Sequence, residues 1–531
     1  MIHTLPRQTS TSRLLLAITI PLAAALLFPT IYLALRAAQV PLDEAASYLT
    51  RAGTLRVIGR SLLLVATVSL ASAAIGIPAA WLTARTDLCG RRMWTIALTV
   101  PLVIPSYVAA LALVGAFGQR GFVQGWLEPL GVERLPSIYG FWGAWLSITL
   151  LAYPYVFLSV RAGLKGLDPS LEEASRTLGR SAWETFRRVT LRQLTPSIMA
   201  GVLLVALYTL SDFGAVAIMQ YNVFTRAIYL RLSLDLETAA LLSMVLVALS
   251  IAILAFVNRT EQRGSTYYAQ RSARAPQRIA LGRWHAAAQA FLALITLLSL
   301  IAPLGVLSYW LINGLQQGET LRDVIVPLQR SIRAAALAAV ACGALTLPFV
   351  VLQVRYPSRV SHGLARAAYL GYALPGVVIG LAFVFVGARV LGTLRDWFGL
   401  TDYRSLGLLV AAYVVRFIPQ AIGPARAALL QVNPHLEESA LTLGRNRPRV
   451  FATITLPLMR PGLVAGVALV FLTAMKELPV TLLLAPSGYV TLATRIWSAS
   501  SESFYARAAA PALVLVLISA LSLVYILDTD D

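Results

Sequence analysis

The chain has 531 residues, of which 58% are hydrophobic and only 13% are charged, with a formal net charge of +20. Soluble domains carry roughly 25% charged residues, so this composition excludes an ordinary soluble enzyme. The apolar residues instead fall into blocks of about 20 residues or more, the length that crosses the hydrocarbon core of a bilayer. The sequence therefore predicts an all-α polytopic membrane protein.

Twelve apolar blocks are predicted as transmembrane helices. The first block resembles a secretory signal peptide, but it is longer and has a counterpart in the second half of the chain, so we interpret it as a retained helix. The predicted spans are residues 14–35, 61–83, 94–117, 140–160, 197–219, 237–258, 286–312, 331–353, 364–388, 405–425, 462–485 and 506–527.

The distribution of positive charge predicts the orientation of these spans. With the N-terminus placed in the cytoplasm, the predicted cytoplasmic loops contain 26 Lys and Arg and the loops on the other side contain 14. Cytoplasmic loops of membrane proteins retain an excess of basic residues, so both termini are predicted to be cytoplasmic. This bias explains the basic charge without a nucleic-acid partner, and membrane lipid is the expected surrounding.

The residues typical of metal centres and nucleotide sites are sparse. The two cysteines and four histidines are scattered along the chain, which indicates neither a disulfide framework nor a metal site. The sequence lacks a GxxxxGK[ST] phosphate-binding loop. We therefore expect no cofactor bound by this chain and no enzymatic activity of its own.

An internal repeat divides the chain into two halves. Residues 169–201 align without a gap on 434–466 at an offset of 265, and farther upstream the offset is 270. Each half contains six predicted spans, so the halves are parallel repeats related by an axis along the membrane normal. The predicted units are residues 1–258, a cytoplasmic linker at 259–283, and residues 284–531.

The two repeated cytoplasmic segments, 161–195 and 426–461, each predict two short helices joined by a glycine elbow. An Asp-Pro or Asn-Pro pair begins each first helix, and Gly179 and Gly444 permit the left-handed conformation that ends it. In the first copy, Ser181 and Glu184 form a capping box for the second helix.

The first of these helices has an apolar stripe formed by residues spaced about four apart: Leu167, Leu171, Ala174 and Leu178. Such a stripe either packs back onto the membrane helices or fits a groove on a partner. Two copies on one face favour a partner with two-fold symmetry.

These segments resemble the EAA loop of ABC-importer permeases of the type I fold, with the pattern EAA-x3-G-x9-I-x-LP. The second copy has Glu438-Ser439-Ala440, Gly444, Ile454 and Leu456-Pro457, and departs from the pattern only at Ser439. The first copy has Glu173-Ala174-Ser175, Gly179, Val189 and Leu191-Arg192, and lacks the final proline.

This resemblance implies that the loops are coupling helices that dock onto a cytoplasmic ABC ATPase homodimer. ATP and magnesium would be used by that partner, and cargo would arrive on a periplasmic substrate-binding protein. The residues expected to couple the chain to the ATPase are Glu172, Glu173, Ala174, Gly179, Glu437, Glu438, Ala440 and Gly444.

Two further stretches are similar to fused ferric-iron permeases. They are residues 210–216 with 222–226 in the first half, and 475–479 with 493–497 in the second. The resemblance implies import of ferric iron across a bacterial inner membrane by alternating access. Fused permeases for thiamine or for a phosphonate-type solute share the same span plan and remain alternatives.

Four charged residues lie away from the ends of the predicted spans, where charge is costly and usually functional. Asp212 and Glu477 are repeat equivalents at the offset of 265, and Arg416 and Lys476 lie near them in the sequence. The charges either pair to hold helices together or line a translocation pathway, in which carboxylates suit a hard cation. A proton-coupled secondary transporter using these carboxylates is the alternative from another class, although such a carrier needs no paired docking loops.

Overall fold

The computed structural model describes residues 10–118, 121–131, 135–167, 169–232, 235–262, 279–398 and 404–528. Asp168, predicted to cap the first loop helix, lies outside these described residues, as does most of the predicted linker. The described residues are helical apart from connections and one isolated bridge between Thr86 and Ile279.

The described residues of the first half form thirteen α-helices. They are α1 (Ser10–Ala37), α2 (Leu42–Thr50), α3 (Ala52–Arg85), α4 (Arg91–Thr99), α5 (Ser106–Phe117), α6 (Phe122–Leu127), α7 (Phe141–Lys165), α8 (Pro169–Thr177), α9 (Ala182–Thr185), α10 (Leu191–Ser211), α11 (Gly214–Ile218), α12 (Phe224–Arg231) and α13 (Leu236–Gln262).

In the second half, the part of the chain that the structure describes forms twelve α-helices in the corresponding order. They are α14 (His285–Thr296), α15 (Ala302–Gln316), α16 (Arg322–Arg355), α17 (Arg359–Ala373), α18 (Gly376–Phe398), α19 (Leu406–Gln431), α20 (Pro434–Thr442), α21 (Arg447–Val450), α22 (Leu456–Met475), α23 (Pro479–Leu484), α24 (Leu492–Ser501) and α25 (Tyr505–Asp528).

The element order confirms the repeat. Helices α3 and α16 both have 34 residues and start 270 positions apart, and the loop helices α8 and α20 start 265 apart. Each loop also ends in a π-helical turn at the same register, Phe186–Thr190 and Phe451–Thr455. The two halves therefore run in the same direction, as predicted for parallel repeats.

Ten helices within the described residues are long and apolar enough to cross a membrane. Two shorter apolar helices, Gly376–Ala388 and Tyr505–Leu521, match the predicted spans 364–388 and 506–527. The structure confirms an all-α polytopic membrane protein. The predicted count of twelve spans stays a prediction, because ten of the described helices reach the spanning length and two are shorter.

Two predicted spans are broken at a proline. Span 94–117 divides into α4, a 3₁₀ turn at Val100–Val103 and α5, which begins after Pro105. Span 364–388 divides into α17 and α18 on either side of Leu374-Pro375. Proline lacks the backbone N–H and disfavours a helical residue before it. The recurrence of Pro105 and Pro375 at equivalent positions in both halves therefore predicts a kink in each span, and the structure has a break at both positions.

The spans predicted at 197–219 and 462–485 also end early, at the charged residues. Helix α10 stops at Ser211 and the chain resumes as α11, while α22 stops at Met475 and resumes as α23. Asp212 has an extended backbone with ψ of 130°. An Asp or Glu side chain can bond to backbone N–H groups just ahead of it, and this competition ends the helices where apolar composition alone predicted continuity.

The halves interlock through their first helices. In the first half α3 packs against α7 and α10, and in the second half α16 packs against α19 and α22. Helix α1 packs across the boundary onto α17 and α18, while α14 and α15 pack onto α4 and α5. Each half thus covers the broken third span of the other half, and the four breaks lie inside the bundle.

Candidate functional site

The breaks in the two halves meet at one internal cavity. The cavity has a volume of about 190 Å³. A single water molecule needs only about 10–15 Å³ of such volume, so the cavity has room for several. One face of α10 and one face of α19 form its walls. The charged and hydroxyl groups lining it are Ser106, Tyr107, Tyr155, Tyr208, Ser211, Asp212, Arg416, Thr473, Lys476 and Glu477.

Asp212 is buried and held by several hydrogen bonds. Its Oδ1 accepts from the backbone N–H of Ala215 at 3.0 Å and of Val216 at 3.4 Å, so the carboxylate caps α11. The Ser106 hydroxyl also bonds to this carboxylate. The Thr225 hydroxyl donates to the Asp212 carbonyl oxygen at 2.6 Å. These contacts fix the side chain at the edge of the cavity.

Glu477 occupies the equivalent position in the second half and is paired with a cation. Its Oε1 accepts from the Val480 N–H at 3.2 Å and caps α23. Its Oε2 lies 3.4 Å from Nε of Arg416, and the two side chains are only 7% and 18% exposed. The Thr481 hydroxyl donates to the Glu477 carbonyl oxygen at 2.5 Å. Burial with a partner is the condition under which a charge is tolerated at this depth.

The repeat is therefore asymmetric at the cavity. Position 416 corresponds to Leu151, and Gly376 corresponds to Ser106. The first half holds its carboxylate with a hydroxyl, whereas the second half uses a guanidinium. The cavity therefore presents one carboxylate that carries an internal counter-charge and one that is held by neutral donors.

Lys476 links the two halves. Its Nζ donates to the carbonyl oxygen of Leu102 at 2.8 Å, in the 3₁₀ turn before Pro105. In return, the Tyr107 hydroxyl donates to the Lys476 carbonyl oxygen at 3.4 Å. The proline break leaves the Leu102 carbonyl available, as expected for irregular backbone beside a cavity.

An aromatic cluster closes the boundary between the halves next to Asp212. The Phe213 ring lies 4.8 Å from that of Tyr229 and 5.3 Å from that of Trp497, measured between centroids. Trp497 belongs to the second half and the other two rings to the first. These contacts join the halves beside the cavity in the conformation described here.

The loop helices have the predicted elbows. Gly179 and Gly444 have φ of +80° and +81°, the left-handed region in which side chains other than glycine are strained. The predicted capping box is present, because Ser181 and Glu184 exchange hydrogen bonds of 3.3 Å.

The apolar stripe of each loop is largely uncovered. Leu178 and its equivalent Leu443 are 78% and 84% exposed, and Leu171 and Leu436 are also exposed. The stripe begins inside the core, since Leu167 is buried. Among the predicted coupling residues, Glu173, Ala174 and Glu438 are exposed and Ala440 is buried.

The other two glutamates of the loops point into the protein. Glu172 pairs with Arg85 and accepts from the Thr190 hydroxyl at 2.8 Å. Glu437 pairs with Arg355 and accepts from the Thr455 hydroxyl at 2.9 Å. These two clusters, the first tie (Glu172, Arg85, Thr190) and the second tie (Glu437, Arg355, Thr455), occupy repeat-equivalent positions.

The structure thus brings all four predicted pathway residues to one cavity, while their role in transport stays a prediction. Sequence reasoning missed Ser106, Gly376 and the Leu102 carbonyl, which complete the surroundings of the charges. The recurring Pro105 and Pro375 predict kinks that leave backbone groups free near a cavity, and each stands beside one of the missed residues, but neither identifies which group it places there.

A membrane chain with two parallel helical repeats, broken helices at a shared cavity and paired exposed loop helices has the architecture of a type I ABC-importer permease with both subunits fused in one chain. Residues 72–263 and 339–528 match the family described as binding-protein-dependent transport system inner membrane component. The chain belongs to this family.

Relatives of known name agree with the two-repeat organisation. The Fe(3+)-transport system permease protein FbpB 2 of Haemophilus influenzae is 33% identical over 522 residues, 97% of each chain. The sulfate transport system permease protein CysT of Escherichia coli is 28% identical over 268 residues, which are 48% of this chain and 96% of its own. The molybdenum transport system permease protein ModB of Haemophilus influenzae is 34% identical over 168 residues, 31% of this chain and 72% of its own.

Proposed function

We propose that this chain is the membrane permease of an ABC importer for ferric iron. The observation that carries the proposal is the similarity along 97% of both chains to a permease whose name specifies Fe(3+) transport. The chemistry of the cavity agrees with it, because carboxylate and hydroxyl oxygens are the ligands that hard cations prefer. Asp212, Ser106 and the tyrosines of the cavity supply such oxygens.

Transport in this proposal is driven by a separate ATPase dimer in the cytoplasm. The paired apolar stripes of α8 and α20 support it, since two uncovered helices at repeat-equivalent positions match a partner with two-fold symmetry. Cargo would be delivered by a periplasmic substrate-binding protein. The cavity would open alternately to the two sides as the halves move.

The proposed orientation places both termini and both loops in the cytoplasm. The excess of basic residues in those loops supports it. The native Cys89, exposed in the short connection after α3, provides a direct test. A thiol reagent that cannot cross membranes should label Cys89 in inside-out vesicles and leave it unlabelled in intact spheroplasts. Labelling in spheroplasts would reverse the proposed orientation.

The cargo is tested by uptake in proteoliposomes that contain the chain with its ATPase. With ATP enclosed and iron-loaded binding protein outside, they are expected to accumulate radioactive Fe³⁺. Enclosing a non-hydrolysable ATP analogue should abolish accumulation, while a protonophore should leave it unchanged. Uptake that needs no ATP and stops with the protonophore would instead establish a proton-coupled secondary transporter.

The same uptake assay with other solutes separates ferric iron from the other cargo classes. Sulfate and molybdate are assayed because Arg416 and Lys476 also line the cavity, and permeases named for these anions are among the relatives. Thiamine and a phosphonate represent the remaining fused permeases. Accumulation of one of these solutes with its own binding protein, in the absence of iron uptake, would overturn the ferric assignment.

A further inference from the structure

The two loop glutamates that point inward have a different task from the exposed ones. We propose that Glu172 and Glu437 are positioning residues that tie each loop to the membrane bundle, so that α10 and α22 transmit loop movement to the cavity. The inference rests on the proposed ATP-driven transport, and its test is arranged so that the two can fail separately.

The second tie shows the geometry in full. Arg355 donates from Nε to both carboxylate oxygens of Glu437 at 3.1 and 3.2 Å, and from Nη2 to Oε1 at 2.9 Å. Nη2 also donates to the Val432 carbonyl oxygen at 3.0 Å, just before the loop helix α20. With the Thr455 hydroxyl on the same carboxylate, one glutamate joins the end of α16, the loop helix and the π-helical turn.

The first tie repeats this arrangement and is more deeply buried. Arg85 is the last residue of α3, and its side chain is only 5% exposed. Among the described residues, its Nε and Nη1 have no hydrogen-bond partner. Removing the Glu172 charge would therefore leave a buried guanidinium without its counter-charge, a severe loss in a protein interior.

The exposed neighbours provide the contrast. Glu438 is 66% exposed and bonds only locally, to the ring of His435 at 2.9 Å. Glu173 is likewise at the surface. The consecutive glutamates of each loop thus face opposite ways, one toward the surface where a partner would dock and one toward the bundle.

Each tie is connected to the cavity by one continuous helix. Thr190 and Thr455 are the last residues of the π-helical turns, and α10 and α22 begin at the next residue. These helices have 21 and 20 residues, which is a length of about 30 Å at 1.5 Å per residue. They end at Ser211 and Met475, immediately before Asp212 and the Lys476-Glu477 pair. A displacement of the tie therefore moves the groups that line the cavity.

The π-helical turns lie between the loop helices and the long helices α10 and α22, where the backbone would have to adjust if loop movement is passed on to the cavity. Such turns inside α-helices occur frequently at functional sites. Here they occur in both halves at the same register, immediately between the loop elbow and the long helix. The hydroxyl that completes each tie sits at the end of the turn, so the tie fixes the junction of the loop with the helix.

The test uses the full complex of chain, ATPase and binding protein, with a cavity reporter on α10. Leu204 lines the cavity. The reporter substitution Leu204→Cys is introduced into a chain without its native cysteines, carrying Cys89→Ser and Cys342→Ala. Its labelling rate is compared without nucleotide and with ATP trapped. In the parent complex, ATP should change the rate.

The variants Glu172→Gln and Glu437→Gln should still co-purify with the ATPase and hydrolyse ATP. The ATP-dependent change in labelling should be lost, and cargo transported per ATP should fall about tenfold, within the range of coupling between distant sites. The matched variants Glu173→Gln and Glu438→Gln should have the opposite effects on ATPase association and on transport per ATP. They should weaken association with the ATPase while the assembled complexes keep their transport per ATP.

If Glu172→Gln and Glu437→Gln both keep the labelling response and the transport per ATP of the parent complex, the proposed role of the two ties is wrong. Loss of ATPase association in them would also contradict it, because it would make these glutamates docking contacts. If the parent complex itself shows no response to ATP, the proposed function fails instead.

Should Glu172→Gln or Glu437→Gln fail to fold, Thr190→Val or Thr455→Val removes one arm of the corresponding tie with nearly the same volume. Reduced transport per ATP in that variant supports the proposal, and unchanged transport per ATP contradicts it.

Discussion

Gly376 is the residue that makes room for Arg416. A Cβ atom on Gly376 would lie 1.7 Å from Nη1 of Arg416 and 2.7 Å from Oε1 of Glu477. The ion pair at the cavity therefore depends on the missing side chain at the start of α18. In the first half the same position is Ser106, whose hydroxyl bonds to Asp212. Each half thus holds a buried carboxylate, but the first half uses a hydroxyl and the second half a guanidinium.

Gly376→Ala is expected to separate Arg416 from Glu477. The guanidinium end of Arg416 would have to move away from its buried counter-charge, and separating such a pair is destabilising, so thermal unfolding of the purified chain in detergent should shift to lower temperature. The control is Gly363→Ala in α17, where a Cβ would meet nothing within 4 Å. Equal melting temperatures for the two variants would show that the space at Gly376 is not required.

Introducing the first-half residues at the equivalent positions of the second half gives a stricter prediction. Gly376→Ser alone should be destabilising because the guanidinium occupies its space. Adding Arg416→Leu recreates the Ser106 and Leu151 pair, and it should recover most of the lost stability. Residues in contact give non-additive free energies of unfolding. Purely additive effects in this double-mutant cycle would contradict the repeat-based interpretation of the site.

Asp212→Asn is expected to abolish uptake with little loss of stability. The amide keeps an oxygen that can accept from the N–H groups of Ala215 and Val216, so the cap of α11 survives within about 1 kcal/mol. Asp235→Asn is the matched control, because Asp235 caps α13 through two N–H bonds of 3.1 Å and does not line the cavity. Uptake retained in Asp212→Asn would exclude a role for its charge.

The two carboxylates together separate a pathway from a purely structural role. Asp212→Asn with Glu477→Gln should stop uptake while assembly and basal ATP hydrolysis persist. Because Arg416 would lose its counter-charge, Arg416→Gln is added to a parallel sample. If the charges only hold helices together, the combined variant should instead lose thermal stability and yield, with uptake per folded complex unchanged.

Much of this architecture could be predicted from the sequence, because it depends on composition and on the repeat. The offset of 265 related Asp212 to Glu477, and the glycines fixed both elbows. The helix breaks at Asp212 and Lys476 could not be predicted, since local apolar composition favours continuity and the caps depend on side-chain geometry. The inward direction of Glu172 also depends on Arg85, which is 87 residues away in the chain.

Lys476 is expected to react slowly with amine reagents unless the halves separate. It and Lys165 are the only lysines in the sequence, and Lys165 is exposed at the end of α7, so it serves as an internal standard. The bond from Lys476 to the Leu102 carbonyl must break before the amine is free. Peptide mass spectrometry should show rapid modification of Lys165 and protection of Lys476. Equal rates at both sites would show that the contact between the halves does not persist.

Replacing an elbow glycine with valine should uncouple ATP hydrolysis from uptake. Nothing lies within 4 Å of a Cβ at Gly179 or Gly444, so a clash is not the cause. The cost comes from the backbone, because a β-branched residue in the left-handed region is strained by roughly 1–3 kcal/mol. The docking helix is then redirected while the membrane bundle stays folded.

Asparagine tolerates the left-handed conformation, so Gly179→Asn and Gly444→Asn are the controls that separate backbone geometry from side-chain size. We expect Gly444→Val to be the more severe change, since the second loop keeps the Leu456-Pro457 ending that Arg192 replaces in the first. The measurement is cargo-stimulated ATP hydrolysis and uptake in the same proteoliposomes. Full activity in both valine variants would mean that the elbows do not set the direction of the coupling helices.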